Sequence, residues 1–352
     1  MPSTILDRYG RARIPSRTLH LSVWRTGSGR PVRLRIEVDG IPDDSAVIHR
    51  SPELTVLRAP AQRLVVRVLP DSGESAFADG TAVTLRLRTE VSRSSREEPD
   101  EVVVETVDVS GLASRELAVL APDGPWLSVS AVNAVTDGPI DRFAARVRSR
   151  ARAVLGRDEI AGTDRADLLV AVDISASMRP ALSDGSVAAL VDAVVGLSYV
   201  VGRPGRVRAG LLGRRACWLP ELPARGLSDA VLAEIGRTGL ECGFRPSHAP
   251  LPVPVGAGPP VVMYMVTDAA PPDAEALAEA TARDGVTRHV LVSGREGTFP
   301  ACPSGVHYTV LEPPPPATSA AEFLLQPSSA AAVETFVSSL VAPWAAGHRP
   351  FP

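Results

Sequence analysis

The sequence predicts two folded units of different class. Residues 18–136 form an all-β sandwich, and residues 165–345 form an α/β unit built on a doubly wound, mostly parallel sheet. Three observations carry this. The chain has 352 residues, more than one compact domain usually holds. Its first half alternates apolar and polar residues with period two and shows no helical stripe. From Asp167 onward, continuous apolar runs alternate with helical stripes. Residues 1–17 are expected to be an arm, 137–164 a helical linker and 346–352 a tail.

In the first unit, Val32-Arg-Leu-Arg-Ile-Glu-Val38 and Val83-Thr-Leu-Arg-Leu-Arg88 put apolar and charged side chains on opposite faces, as a sheet with one buried and one wet face requires. Segments 19–24, 64–69, 102–107 and 126–132 supply further strands. Turn formers separate them: Gly27-Ser-Gly29, Asp39-Gly40, Pro70-Asp-Ser-Gly73, Asp79-Gly80 and Pro122-Asp-Gly124. Short strands at this spacing indicate a sandwich or barrel. The acidic, serine-rich stretch 92–100 is expected to be a solvated loop. In 139–155, Phe143, Ala144, Val147, Ala151 and Val154 recur at helical spacing, with Arg142, Arg146, Arg148 and Arg152 on the other faces, so a solvated connecting helix is expected.

In the second unit, Asp167-Leu-Leu-Val-Ala-Val172 has the continuous apolar character of a strand buried on both sides. Helix 186–201 follows, with Ser183 or Asp184 as its cap. Then come strand 207–212, helix 227–237, strand 261–267, helix 272–283, strands 286–293 and 306–311, and helix 330–340. Pro313 to Pro316 make a rigid connector. Such sheets bind ligands beyond the carboxyl ends of their strands.

Composition narrows the function. The net charge of -3 shows no general attraction to nucleic acid or acidic membrane. All 37 basic residues are arginine, Asn133 is the only asparagine and prolines number 33, a skew that reflects coding composition. Aromatic residues make up 4%, too few for base-stacking platforms. Cys217, Cys242 and Cys302 lack metal-ligand spacing and are expected to be small buried thiols. No apolar run reaches the roughly 18 residues of a membrane span, and the opening residues lack a secretory core, so a cytoplasmic protein without membrane insertion is expected.

Two acidic loops lie at strand ends. Asp173-Ile-Ser175-Ala-Ser177 follows the most apolar strand, and Thr267-Asp268 follows Val261-Val-Met-Tyr-Met-Val266. In a parallel sheet both carboxylates emerge at one edge. Carboxylates and hydroxyls together suit a hard divalent cation, magnesium or manganese, which prefers oxygen ligands and retains several waters.

With its Asp-x-Ser-x-Ser loop after the first strand and a Thr-Asp pair about 95 residues later, the stretch 165–341 resembles a von Willebrand factor A (vWA) domain. The run Asp173-Ile-Ser-Ala-Ser-Met-Arg-Pro-Ala-Leu-Ser-Asp-Gly-Ser-Val187, with the Gly205-Arg-Val-Arg-Ala-Gly-Leu-Leu212 strand, is most similar to vWA domains of bacterial tellurium-resistance and stress-response proteins. The resemblance implies a metal-ion-dependent adhesion site (MIDAS). Ser175 and Ser177 would bind the ion directly, Asp173 and Asp268 would act mainly through water, and a partner protein would donate a carboxylate. It also implies a further threonine ligand on a glycine-rich loop. No Gly-Gly-Thr occurs here, and Thr238 and Ser247 are the available hydroxyls. Ala269 stands where a glycine is usual, so the site is either weakened or lost relative to the family. The segment Val119-Leu-Ala-Pro-Asp-Gly-Pro-Trp-Leu-Ser-Val-Ser-Ala131 is similar to TerD-type β-sandwich domains, with an unrelated sandwich as the alternative. Those domains carry acidic calcium clusters, and no matching Asp-rich run is present.

The expectation is a protein-binding module, with neither a catalytic role nor a small-molecule substrate. A metal-independent scaffold and a metal-dependent hydrolase are the alternatives. An aspartyl phosphatase needs a second acid where Ser175 stands, no serine has the Gly-x-Ser-x-Gly flanks of a hydrolase, and without lysine no phosphate-binding P-loop can form. The histidines, His20, His49, His248, His289, His307 and His348, are scattered and expected to be structural.

Overall fold

The computed structural model describes residues 3–7, 10–27, 31–43, 45, 47–71, 73–91, 98–132, 140–160, 162–242, 259–294 and 306–345. The chain divides into two compact units, Met1–Asp137 and Gly138–Pro352.

The first unit is a sandwich of two sheets. Its strands are β1 (Ser3–Leu6), β2 (Arg11–Pro15), β3 (Leu19–Thr26), β4 (Val32–Val38), β5 (Ile41–Pro42), β6 (Val47–Ser51), β7 (Leu54–Leu57), β8 (Leu64–Pro70), β9 (Ala82–Thr89), β10 (Glu101–Asp108), β11 (Arg115–Asp123) and β12 (Trp126–Ala131). The sheet orders are β1-β10-β9-β3-β7-β6 and β2-β12-β11-β8-β4-β5. Period-two burial is clear along β4, where Val32, Leu34 and Ile36 point inward, and along β9, where Val83, Leu85 and Leu87 do. Outside the core, Arg67 on β8 donates to Glu37 at 3.0 Å, to Glu116 at 2.5 Å and to Ser114 at 3.1 Å, so the buried Glu37 carboxylate is paired.

One expectation changes here. The described parts of the arm belong to the sandwich: β1 pairs in parallel with β10, β2 pairs with β12, and Leu6 and Ile14 enter the core. Short strands gain their stability from partners, and one or two apolar residues leave no readable period. The short strands β5, β6 and β7 are further additions of the same kind, and β11, nine residues long, is a strand not expected from the sequence. Of the expected acidic loop 92–100, residues 92–97 lie outside the described residues.

The second unit holds a sheet of order β15-β14-β13-β16-β17-β18, formed by β13 (Ala166–Asp173), β14 (Gly202–Leu212), β15 (Cys217–Trp218), β16 (Val261–Thr267), β17 (Val286–Ser293) and β18 (Val306–Leu311). All neighbours are parallel except β15, which runs against β14. The helices are α1 (Arg142–Leu155), α2 (Arg179–Ser183), α3 (Ser186–Ser198), α4 (Leu227–Thr238), α5 (Ala274–Asp284), α6 (Ala320–Leu325) and α7 (Ala330–Ala345). Residues of α1, α3, α4, α6 and α7 pack with Leu168, Val170 and Val172 on one side of the sheet. Leu277 of α5 packs with Leu169, Ala171 and Met263 on the other. This is a doubly wound α/β arrangement on a mostly parallel sheet. Among the described residues no single helix is long and apolar enough to cross a membrane.

Helix α1 is no solvated linker. Phe143, Ala144, Val147 and Ala151 belong to the second unit's core, and α1 packs on α3 and α7. Three of its arginines are covered too, while Arg142 stays exposed: Arg152 pairs with Asp158 at 2.8 Å, Arg148 lies over the Tyr199 ring and Arg146 reaches the Gln326 carbonyl at 3.4 Å. Arginine stems bury readily when the head group keeps a partner, so charge at those positions did not report exposure. Two cysteines also differ from expectation, because Cys217 on the edge strand β15 and Cys242 are exposed free thiols. Cys302 lies outside the described residues. Histidines 289 and 307, distant from one another in expectation, are register neighbours on β17 and β18, with ring centroids 5.7 Å apart.

Candidate metal centre

Register brings the two acidic loops together. Val172 of β13 pairs with Val266 of β16, so the next residues, Asp173 and Thr267, leave the sheet side by side at its carboxyl edge. Asp173 is 1% exposed and Ser175 5%. One Asp173 oxygen accepts from the Ser175 N–H at 2.7 Å, a local turn that bends the chain out of β13. The other accepts from the Ser175 hydroxyl at 3.0 Å and the Thr267 hydroxyl at 2.9 Å. The Ser175 and Ser177 hydroxyls lie 2.9 Å apart, and Ser177 donates to Asp268 at 3.1 Å, 91 residues away in sequence. Asp173, Ser175, Ser177 and Asp268 therefore form one hydrogen-bonded row running from the buried strand end to the surface.

A third segment holds this loop. Glu241, just after α4, bridges Ser175 in parallel fashion: its N–H donates to the Ile174 carbonyl at 2.8 Å and its carbonyl accepts from Ala176 at 2.8 Å. The Glu241 carboxylate accepts from the Arg214 N–H, beyond the end of β14. Gly213 permits this approach, since a Cβ there would lie 2.4 Å from a Glu241 oxygen and 2.8 Å from Ile174 Cδ1. Neither Glu241 nor Thr267 was expected at the site. Thr267 was legible as part of the Thr-Asp pair, whereas only folding reveals Glu241.

Thr238 sits elsewhere. Thr238 ends α4 and its exposed hydroxyl donates to Glu234 at 3.4 Å, with no hydrogen bond to the row among the described residues. Ser247 and His248 lie outside the described residues. Asp184 does serve helix α3, accepting from the Ser186 N–H at 2.8 Å, although Gly185 occupies the cap position itself.

Burial pushes the Asp173 carboxyl up to about 6, against the hydrogen bonds from Ser175 and Thr267 that draw it down, and the Asp268 charge adds to the rise. The donors in this row are two hydroxyls and two carboxylates, an all-oxygen set that fits a hard divalent cation. No group of three or more His, Cys, Asp or Glu side chains among the described residues is arranged to hold a metal. An ion here would thus have few anionic protein ligands and would retain charge with which to attract another anion.

Fold and site together define a protein with a doubly wound α/β unit and an Asp-x-Ser-x-Ser loop at its sheet edge, preceded by a β-sandwich. No protein-family model and no curated protein matches the sequence. Among solved structures, the chain is similar to BatB from Bacteroides thetaiotaomicron (16% identity, 50% of this chain and 99% of that one, TM-score 0.31). It is also similar to an aerotolerance-related membrane protein from Bacteroides fragilis (15% identity, 49% and 98%, TM-score 0.29). A third is proximal thread matrix protein 1 from the mussel byssus, in a structure with a zinc-occupied MIDAS motif (15% identity, 55% and 51%, TM-score 0.31). The fold assignment rests on this chain's own strand order and helix placement.

Proposed function

We propose that this protein is a metal-modulated protein-recognition module rather than an enzyme. The observation that carries the reading is the convergence of Asp173, Ser175, Ser177 and Asp268 in one row at the sheet edge. In this reading Ser175 and Ser177 turn their hydroxyl oxygens to a magnesium or manganese ion, and Asp173 and Asp268 hold its waters. The bound ion supplies the positive charge that a partner's carboxylate needs. Asp173 orients Ser175 through its paired hydrogen bonds, and Thr267 fixes Asp173 in turn. By resemblance of the loop sequence, we place the module in a bacterial stress-response or conflict system of the tellurium-resistance kind, acting in the cytoplasm.

A second reading, a metal-independent scaffold, is favoured by one feature: the hydroxyls already satisfy the Asp173 carboxylate without any ion. Thermal unfolding in magnesium, manganese or chelator separates the two. Binding to the folded state stabilises it by mass action, by about 2.7 kcal/mol when the ion is at a hundred times its dissociation constant, and so raises the midpoint. The Asp173→Ala and Ser177→Ala variants should lose that gain. A midpoint indifferent to cations in the wild type supports the scaffold.

A further inference from the structure

Among the described residues, three exposed arginines lie on the segments that border the proposed metal loop, beside the carboxylate of Glu241. Arg179 opens α2, two positions after Ser177, and is exposed. Arg214 and Arg215 follow β14, the strand beside β13, and are also exposed. Their position relative to the metal loop is set by backbone contacts: Ile174 donates to the Leu212 carbonyl at 3.0 Å, and Glu241 joins Ser175 to the Arg214 N–H. On the opposite side, the residues after Asp268 are Ala269, Ala270 and Pro271, which bring no charge. Among the described residues none of the guanidinium groups of Arg179, Arg214 and Arg215 has an acidic partner. Elsewhere in this unit arginines do find one, as Arg152 does with Asp158 and Arg288 with Asp284.

We propose that this rim selects an acidic segment of a partner protein, in which the carboxylate aimed at Ser175 and Ser177 is flanked by further carboxylates that pair with Arg179, Arg214 and Arg215. The inference rests on the metal-dependent reading of the site and names the partner's chemistry. An acidic segment approaching Asp173 and Asp268 meets like charge. A cation relieves that repulsion at the centre only, and the flanking carboxylates need countercharge of their own. Planar guanidinium groups supply it and can take a carboxylate in bidentate fashion. A neutral or basic surround would gain nothing from the rim, so the arrangement discriminates by charge as well as by the central ligand.

The test uses the full chain and a displayed peptide library with one fixed aspartate and randomised flanks, selected in magnesium and eluted with chelator. The proposal expects Asp and Glu to be enriched at the flanks for the wild type. Fluorescence polarisation with the best such peptide should show affinity falling about tenfold in the Arg179→Gln, Arg214→Gln, Arg215→Gln triple variant, with a weaker salt dependence. These side chains are exposed, so the variant should keep the wild-type unfolding midpoint and its response to magnesium. Neutral, apolar or basic flanks, or no retained peptide while magnesium still raises the midpoint, would overturn the rim's role and leave the metal reading standing. A midpoint unmoved by magnesium in the wild type would overturn both.

Discussion

Replacing Gly196 by alanine sets local propensity against packing, and the structure says which wins. Gly196 lies inside α3, where alanine is better than glycine by about 0.8–1 kcal/mol. A Cβ at this position, however, would sit 2.3 Å from the Ala144 carbonyl oxygen and 3.1 Å from both its carbonyl carbon and Val147 Cβ, all on α1. A relaxed carbon–oxygen contact is about 3.3 Å, so α1 must retreat by roughly 1 Å. The obstructing atom is backbone, and no rotamer change relieves it. Overpacking typically costs about 1–3 kcal/mol, and a backbone clash belongs at the upper end, leaving a net loss of about 2 kcal/mol. For a unit of this size the midpoint should fall by about 4–8 °C. Thermal unfolding of the full chain gives that value, and hydrogen exchange read by mass spectrometry should show faster exchange in 142–155 and 186–198. An unchanged or raised midpoint would mean that α1 is a loosely held linker whose packing on α3 contributes little.

Further outcomes are expected at three positions. Burial pushes the Asp192 carboxyl up to about 6, opposed by a hydrogen bond from Ser228 and reinforced by Asp141 and Asp229. The folded value exceeds the unfolded one, so the folded state binds the extra proton between about pH 4 and 6, and the destabilisation is relieved as pH falls through that window. Asp192→Asn should therefore gain stability near pH 7.5, by up to about 3 kcal/mol, and lose that advantage near pH 4. The comparison must be between variant and wild type in urea unfolding, because His289, held by burial at about 3, loses stability as pH falls below about 6.5 and opposes the slope. Thr267→Val removes one donor from the buried Asp173 and should cost about 1–3 kcal/mol, read by denaturant unfolding; an effect near zero would show that the bond at 2.9 Å does not matter. Arg67→Met leaves the buried Glu37, among the described residues, with only the longer Arg35 contact at 3.9 Å and should cost about 2–3 kcal/mol, most of it recovered when Glu37→Leu is added; failure of the second change to rescue would argue that Arg67 acts through packing.

The sequence by itself determined what local periodicity can encode. The alternation in β4 and β9, the apolar runs of β13 and β16, and the stripes of α3 and α7 each announce their buried faces, because a strand or helix with one such face has few stable alternatives. The Asp-x-Ser-x-Ser loop was legible for a related reason: its hydrogen bonds join residues two apart and follow directly from a buried strand end. Tertiary structure decided everything that depends on a distant partner. It drew Ser3–Leu6 and Arg11–Pro15 into the two sandwich sheets, covered Arg146, Arg148 and Arg152 of α1, and set His289 beside His307. It also placed Glu241 against Ser175 and the Arg214 N–H, which brings the segment carrying Arg214 and Arg215 next to the proposed metal loop. Such pairings leave no period in the chain, since the energy that selects them is gained only when segments far apart in sequence meet.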